Sequence, residues 1–381
     1  MTPLHGLKVL ELARVLAGPW AGQVLADMGA DVVKVEGPEG DETRNWGPPF
    51  APDGAAAYYH AANRGKRDVS ADFRNADDLA MVKALAARAD VVIENFKLGG
   101  LAKFGLDYAS LAPSNPGLVY CSITGFGQTG PYAPRAGYDF IIQAMGGIMD
   151  LTGEPDGEAQ KPGMAYADLF TGLYSVIGIQ AALAQRAVTG KGQHIDMALF
   201  DTQLAVLANQ SGNYLTSGIV PRRMGNAHPN IVPYQVFQAA DAPFVIACGN
   251  DHQFAHLCEK LGVAFHTDAR FARNTDRVKN RQIIIPLLAA EMARHSRADI
   301  LALMEAAGVP AGPINTVAEA LADPQALARG MVLDHGQTRS VRLPIVFSGA
   351  DMPLPAAAPQ KDAHGAAIRA AAAQNQWPTK D

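Results

Sequence analysis

Residues 7–36 read LKVLELARVLAGPWAGQVLADMGADVVKVE, and the fold turns on this stretch. LKVLEL, with Gly6 ahead of it, is a short apolar run suited to a buried strand, and ADVVKVE is a second. Between them, AGPWAGQVLADMG has the punctuation of a helix, entered through Gly18-Pro19 and closed at Gly29. Strand, helix and strand in immediate succession predict a parallel βαβ unit, in which the connecting helix covers one face of the sheet.

Outward from there the alternation repeats. After a loop rich in Gly, Pro and charge (GPEGDETRNWGPPFAPDG, 37–54), RDVSADF (67–73) reads as a strand and ADDLAMVKALAARA (76–89) as a helix. DVVIENF (90–96) and PGLVYCSITGF (116–126) supply two further strands. The expected fold class is therefore α/β with a parallel, Rossmann-like sheet. The turn after the first strand lacks GxGxxG and the chain lacks GxxxxGK[ST], so neither a dinucleotide cradle nor a P-loop is encoded there. A long apolar helix begins near Asp168, and TGKGQHIDMALFDTQLAVLANQ (189–210) reads as turn, strand and helix.

Beyond Gly212 the texture becomes dense in Pro, Gly and Asn (SGNYLTSGIVPRRMGNAHPNIVPYQVF, 211–237), which predicts a loop-like connection. A separate set of strands and helices then follows. The expected organisation is a large α/β domain from residues 1–210 and 330–381, a small inserted α+β domain over 225–320, and linkers at 211–224 and 321–329. The Ala/Pro-rich tail beyond Asp351 is expected on the surface.

Composition narrows the function. The 381 residues are 48% apolar and 18% charged, with a net charge of -5, which suits a soluble enzyme and argues against nucleic acid or membrane as partner. No stretch reads as the roughly 20 apolar residues of a membrane span, and the N-terminus lacks the pattern of a signal peptide. The expected location is cytoplasmic. Three cysteines, Cys121, Cys248 and Cys258, cannot make a paired framework and are expected as reduced, buried thiols. No HExxH or Cys/His spacing suggests a metal.

Asp168 draws attention because it stands at the start of the apolar helix. An aspartate there reads as an N-cap accepting orphan backbone N–H groups. The same position also suits a carboxylate nucleophile kept ionised by the helix dipole, and both readings can hold together. Lys97 and Lys103 read alone as solvated charge, Phe96 as core, and Arg222, Arg223 and His228 as surface or loop-structural residues.

The chain resembles the class III CoA transferases, the formyl-CoA transferase and carnitine CoA-transferase family, which also includes the α-methylacyl-CoA racemases. The resemblance runs through LHGLKVLELARVLAGPWAGQVLADMGADVVKVEGPEGDETR, ANRGKRDVSADF, DVVIENFKLGGLAKFGLDY, NPGLVYCSITGFGQTGPYA and Gly137-Tyr138-Asp139. It continues through YADLFTGLYSVIGIQAAL, TGKGQHIDMALFD and GNAHPNIVPYQVF, in the family's order and spacing.

The resemblance implies CoA transfer from an acyl-CoA to a carboxylic acid, dicarboxylic acids among the candidates, through aspartyl anhydride and aspartyl-CoA thioester intermediates. Ala167-Asp168 with Gly172 matches the pattern of the catalytic aspartate. Arg14, Val15, Leu16 and Ala17 match the turn that binds CoA, Asn95-Phe96 match the family's NF, and Lys97 and Lys103 supply positive charge for its phosphates. Lys66, with Asn63 and Arg64, falls in a further stretch that approaches CoA, and Tyr138 is compatible with lining the CoA pocket. CoA enters as a substrate, with no permanently bound cofactor and no metal. Gly249, in Cys248-Gly249-Asn250-Asp251, matches a catalytic glycine-rich loop but has one glycine where formyl-CoA transferases have several. Gly37-Pro38 replaces an arginine the family often has at the adenosine end. The racemases place a histidine where Tyr138 stands, and tyrosine, with a pKa near 10, is a poor base, which favours transfer. A racemase-like isomerase and an inactive CoA-binding homologue are the competing readings. The resemblance also implies an interlocked homodimer.

Overall fold

The computed structural model describes residues 1–379 and divides into two compact units. One comprises residues 1–148, 161–218 and 324 onward, the other 149–160 and 219–323.

In the larger unit six strands form one sheet: β1 (Lys8–Leu12), β2 (Asp31–Glu36), β3 (Arg67–Ser70), β4 (Val91–Glu94), β5 (Val119–Thr124) and β6 (His194–Ala198). Their order is β3-β2-β1-β4-β5-β6 and every pairing is parallel. Helix α1 (Ala17–Asp27) links β1 to β2, helix α2 (Ala57–Asn63) precedes β3, and helix α3 (Ala76–Ala86) links β3 to β4. Alternation along the strands divides the core. Val9, Val32 and Val91 join α1 on one face, while Leu10, Val33 and Val92 join α3 on the other. Each is completely buried, which favours the folded state by about 1.5–3 kcal/mol per side chain. Chain order reverses direction about β1 and β4, so a crevice opens beyond the carboxyl ends of these neighbouring strands.

The sequence reading is corrected at four places. The long helix Tyr166–Thr189 is, by length and composition alone, apolar enough to cross a membrane. Here it is a packing helix, burying Val176, Ile179 and Ala182 with α1 and β5, and it also buries the polar Asp168, Thr171 and Ser175. Residues 211–217, read as loop, lie in a helix, Asn209–Ser217. The tail is not merely surface chain, because helix Gly365–Ala373 places Ile368 and Ala372 in the α3-side core. Residues 149–160, assigned from sequence to the large domain, group with the second unit. There the Gly225 N–H donates to the Gly153 carbonyl at 3.0 Å and Arg223 pairs with Asp150 at 3.1 Å.

The second unit is built on an antiparallel sheet of β7 (Tyr234–Gln238), β8 (Pro243–Ala247) and β9 (Ala311–Pro313). Its core contains Phe244, Ile246, Phe254 and Leu288. Completely buried Arg277 ties it together, donating to the Val232 carbonyl at 2.7 Å and to Asp251 at 2.8 Å while its guanidinium lies over Phe254.

Candidate active site

The strongest convergence of the sequence-predicted residues lies at the carboxyl ends of β1, β4 and β5. Arg14, Val15, Leu16 and Ala17 from the β1 turn, Asn95, Phe96 and Lys97 from the β4 turn, Tyr138 and Asp168 all line one cavity of about 130 Å³. The two turns are bonded to each other: the Arg14 N–H donates to Asn95 Oδ1 at 3.0 Å, and Asn95 Nδ2 donates to the Arg14 carbonyl at 2.7 Å. Asn95 thus has a structural task, holding the β1 turn in the register of the sheet.

Asp168 is not the cap of its helix. The helix begins at Tyr166, after Ala165, and no side chain of the capping residue bonds its N-terminus. The cap comes from elsewhere. Oδ1 of Asp139 accepts the N–H of Ala167 at 2.9 Å and that of Asp168 at 3.3 Å, and Oδ2 accepts Gln143 Nε2 at 2.6 Å. The Asp168 side chain is left unspent, with 9% exposure, at the cavity wall. Burial, with the charge of Asp139 adding to it, pushes the Asp168 carboxyl up to about 7. The expectation of a carboxylate kept ionised by the helix dipole is thereby corrected, since burial brings its titration into the neutral range.

Glycines explain how the wall closes. A Cβ on Gly172, one turn beyond Asp168, would stand 2.8 Å from the Ala17 carbonyl and 3.0 Å from Trp20 Cδ1. Gly172 therefore lets α1, which carries the end of the β1 turn, lie directly on the helix that carries Asp168. Gly125 and Gly137 similarly touch backbone to backbone, and either Cβ would fall about 2.5 Å from the other residue's Cα.

Other residues expected at the site fall differently. Lys66 is a correction: its side chain has no exposure, and its ammonium is bound to the Pro19 carbonyl at 2.8 Å, Glu11 at 3.0 Å and Asn63 at 2.8 Å. It cannot present a charge to a solvent-borne phosphate. Asn63 is buried with it, and Arg64 is consumed by Asp27. Lys103 is exposed outside the cavity, with its Nζ 4.8 Å from the Phe104 ring centre. Gly249 belongs to the second unit, where its N–H donates to Gln253 Oε1 at 2.8 Å. That N–H is thus engaged locally. Cys121, Cys248 and Cys258 are all buried, and burial raises each thiol well above the usual range.

Sequence reasoning missed three neighbours. Asp139 stood in the quoted Gly-Tyr-Asp motif, but only its tyrosine was weighed. Arg135 lines the cavity with its guanidinium 4.0 Å from the Tyr132 ring centre, an exposed cation suited to a phosphate or carboxylate. Tyr58 is close enough to Asp168 and Asp139 that their charges, after burial, help to push its hydroxyl up to about 12. That hydroxyl keeps its proton at neutral pH and is available as a donor.

The sequence pattern of CoA-transferase family III matches residues 4–365. A succinate–glutarate CoA-transferase of Agrobacterium fabrum is 54% identical, over 97% of this chain and 95% of its own length. A succinyl-CoA:glutarate CoA-transferase of Mus musculus is 43% identical over 88% of this chain and 77% of its own. Among solved structures, a CAIB/BAIF family protein from Brucella suis superposes with a TM-score of 0.87 at 62% identity, covering 97% of this chain and 99% of that one.

Proposed function

This chain belongs to CoA-transferase family III and is an enzyme that acts on acyl-CoA substrates, and from that premise we propose that it moves CoA between two dicarboxylic acids with Asp168 as the covalent nucleophile. Succinate and glutarate, the acids named for the Agrobacterium relative, are the first candidates. The observation that carries the reading is the meeting of one buried, unspent carboxylate with the β1 and β4 turns in a single cavity.

An ionised Asp168 oxygen attacks the thioester carbonyl of the donor. The C–S bond breaks, the CoA thiolate leaves, and an aspartyl–acyl anhydride forms. The thiolate then attacks the Asp168 carbonyl carbon, releasing the donor acid as its carboxylate and leaving an aspartyl-CoA thioester. The acceptor carboxylate attacks that thioester and regenerates thiolate with a second anhydride. Attack of the thiolate on the acceptor's carbonyl gives the new acyl-CoA and frees Asp168. The bond energy of the thioester is kept in acyl-enzyme species throughout. Burial suits the nucleophile, because a poorly solvated carboxylate is more reactive and water is kept from the anhydride. Tyr58 is suited to donate to oxygens that gain charge, and Arg14, Lys97 and Arg135 are suited to bind the phosphates of CoA.

We further infer a homodimer, interlocked as in the family. Support comes from apolar side chains turned outward on the larger unit: Leu173, Tyr174 and Ile177 (61% exposed) of the long helix, and Phe140, Ile141 and Met145 nearby in sequence to the Asp139 cap. Exposed apolar groups in this number mark a surface that is covered in solution. Light scattering at micromolar concentration should return twice the chain mass, and a monomer would end that reading.

The test of function is mass spectrometry of acyl-CoA products after incubation with succinyl-CoA and a panel of free dicarboxylic acids. Glutaryl-CoA formed by the wild type and absent with Asp168→Ala supports the proposal. Equal exchange by the variant would overturn the aspartyl route.

A further inference from the structure

Val15, in the middle of the β1 turn, has φ +70, a left-handed conformation that a β-branched residue rarely takes. Something must hold it there. Around this turn lies a group of completely buried charges: Glu11 on β1, Lys34 on β2, Asp41 after β2 and Lys66 before β3. Two cations and two anions balance, with Lys34 3.2 Å from Glu11 and 3.0 Å from Asp41, and Lys66 3.0 Å from Glu11.

Three of these groups also bond the backbone of the turn or its ends. Lys34 Nζ donates to the Ala13 carbonyl at 2.7 Å, just before the turn. Lys66 Nζ donates to the Pro19 carbonyl at 2.8 Å, just after it. The Asp41 carboxylate accepts the Val15 N–H at its centre, at 3.3 Å, and is itself fixed by the Thr43 N–H at 3.0 Å and hydroxyl at 2.7 Å. Buried charges need partners, but partnering alone would not send three of the four to one short segment or set its one strained residue beneath a carboxylate.

We propose that Asp41 and Lys34, with Lys66, are positioning residues that clamp the turn at both ends and its middle, holding Val15 in the left-handed conformation that shapes the CoA cavity. The inference rests on the reading of Arg14–Ala17 as part of the CoA site. Asp41 touches no substrate and acts only through the backbone of Val15.

The test is a double-mutant cycle on CoA affinity, read by isothermal titration of the full-length protein with free CoA. With Val15 in place, Asp41→Asn lets the turn relax and weakens CoA about tenfold, equivalent to about 1.4 kcal/mol. In the Val15→Gly background the same substitution changes affinity by less than about twofold, because glycine takes positive φ without help. A merely structural Asp41 would lose the same factor in both backgrounds, and that result would overturn the clamp. So would an unchanged affinity for Asp41→Asn alone. If Asp41→Asn does not fold, Thr43→Val removes one anchor of Asp41 without stranding a charge, and the same background dependence is expected at about threefold. Arg14→Glu, at an exposed side chain, separates the premise from the inference. If it leaves CoA affinity unchanged the turn is not the CoA site, whereas a loss there with no background dependence at Asp41 defeats the clamp alone.

Discussion

Two aspartates of the larger unit are both buried, and their surroundings treat them oppositely. At the β1–β2 end, Asp41 sits with Lys34 at 3.0 Å and accepts from Thr43, and these partners outweigh its burial and hold its carboxyl below the usual range. At the start of the long helix, Asp168 has no cation beside it among the described residues, and burial with the nearby charge of Asp139 takes it up to about 7. A compensated charge is structural, since its free energy is spent on its partners. An uncompensated one at a cavity wall is reactive, and it weakens the fold whenever it ionises.

The sharpest way to break this contrast is to remove each group. Asp168→Ala should lower CoA exchange by about 10³-fold or more while the protein folds, because no other group replaces the nucleophile. Measured turnover near wild type would return Asp168 to a structural role. Lys34→Met should do the reverse, costing about 3–5 kcal/mol of stability in urea unfolding, because it leaves Glu11 and Asp41 buried with one cation fewer. A cost below about 1 kcal/mol would mean that water enters the cluster.

Asp168→Asn sharpens the comparison from the stability side. The folded pKa of Asp168 lies above its unfolded value of 3.8. The stability this linkage gives is present in full below that value and is lost as pH rises through about 7. At pH 8 the wild type therefore carries a destabilisation on the order of 2–4 kcal/mol that Asp168→Asn lacks. Urea midpoints should favour the variant at pH 8 and converge near pH 4. The same titration predicts that formation of the aspartyl-CoA species falls about tenfold for each pH unit below 7.

Gly172→Ala tests the packing that joins the two regions. A methyl 2.8 Å from the Ala17 carbonyl should cost about 1–3 kcal/mol and loosen acyl-CoA binding, read by thermal unfolding and KM. The smallest effect is expected from Asp139→Asn, which keeps an acceptor for the Ala167 N–H but removes the charge. The acidic limb of the rate profile should move down by about one pH unit or less, since burial is the larger cause. No movement would mean that burial alone sets the Asp168 pKa.

Much of this was legible without coordinates. Apolar runs such as LKVLEL and DVVIENF are local signals, and a strand buried on both faces has to be written that way whatever surrounds it. The Asp168 motif and the two turns were equally local. What escaped was charge placement. Lys66 and Lys97 look alike in sequence, yet one is buried against Glu11 and the other lines the cavity. Asp139 is the cap of a helix whose first residue lies far along the chain, so no capping pattern near Asp168 could have announced it.

Periodicity and turn chemistry act over a few residues, so the parallel α/β sheet, the order of its elements and the residues offered to the cavity were all written locally in the chain. Which aspartate is paired with a cation and which is left unpaired at a cavity wall follows from tertiary contacts alone. That distinction depends on desolvation and on the charges within a few ångströms, and the chain brings those neighbours in from separate strands and helices.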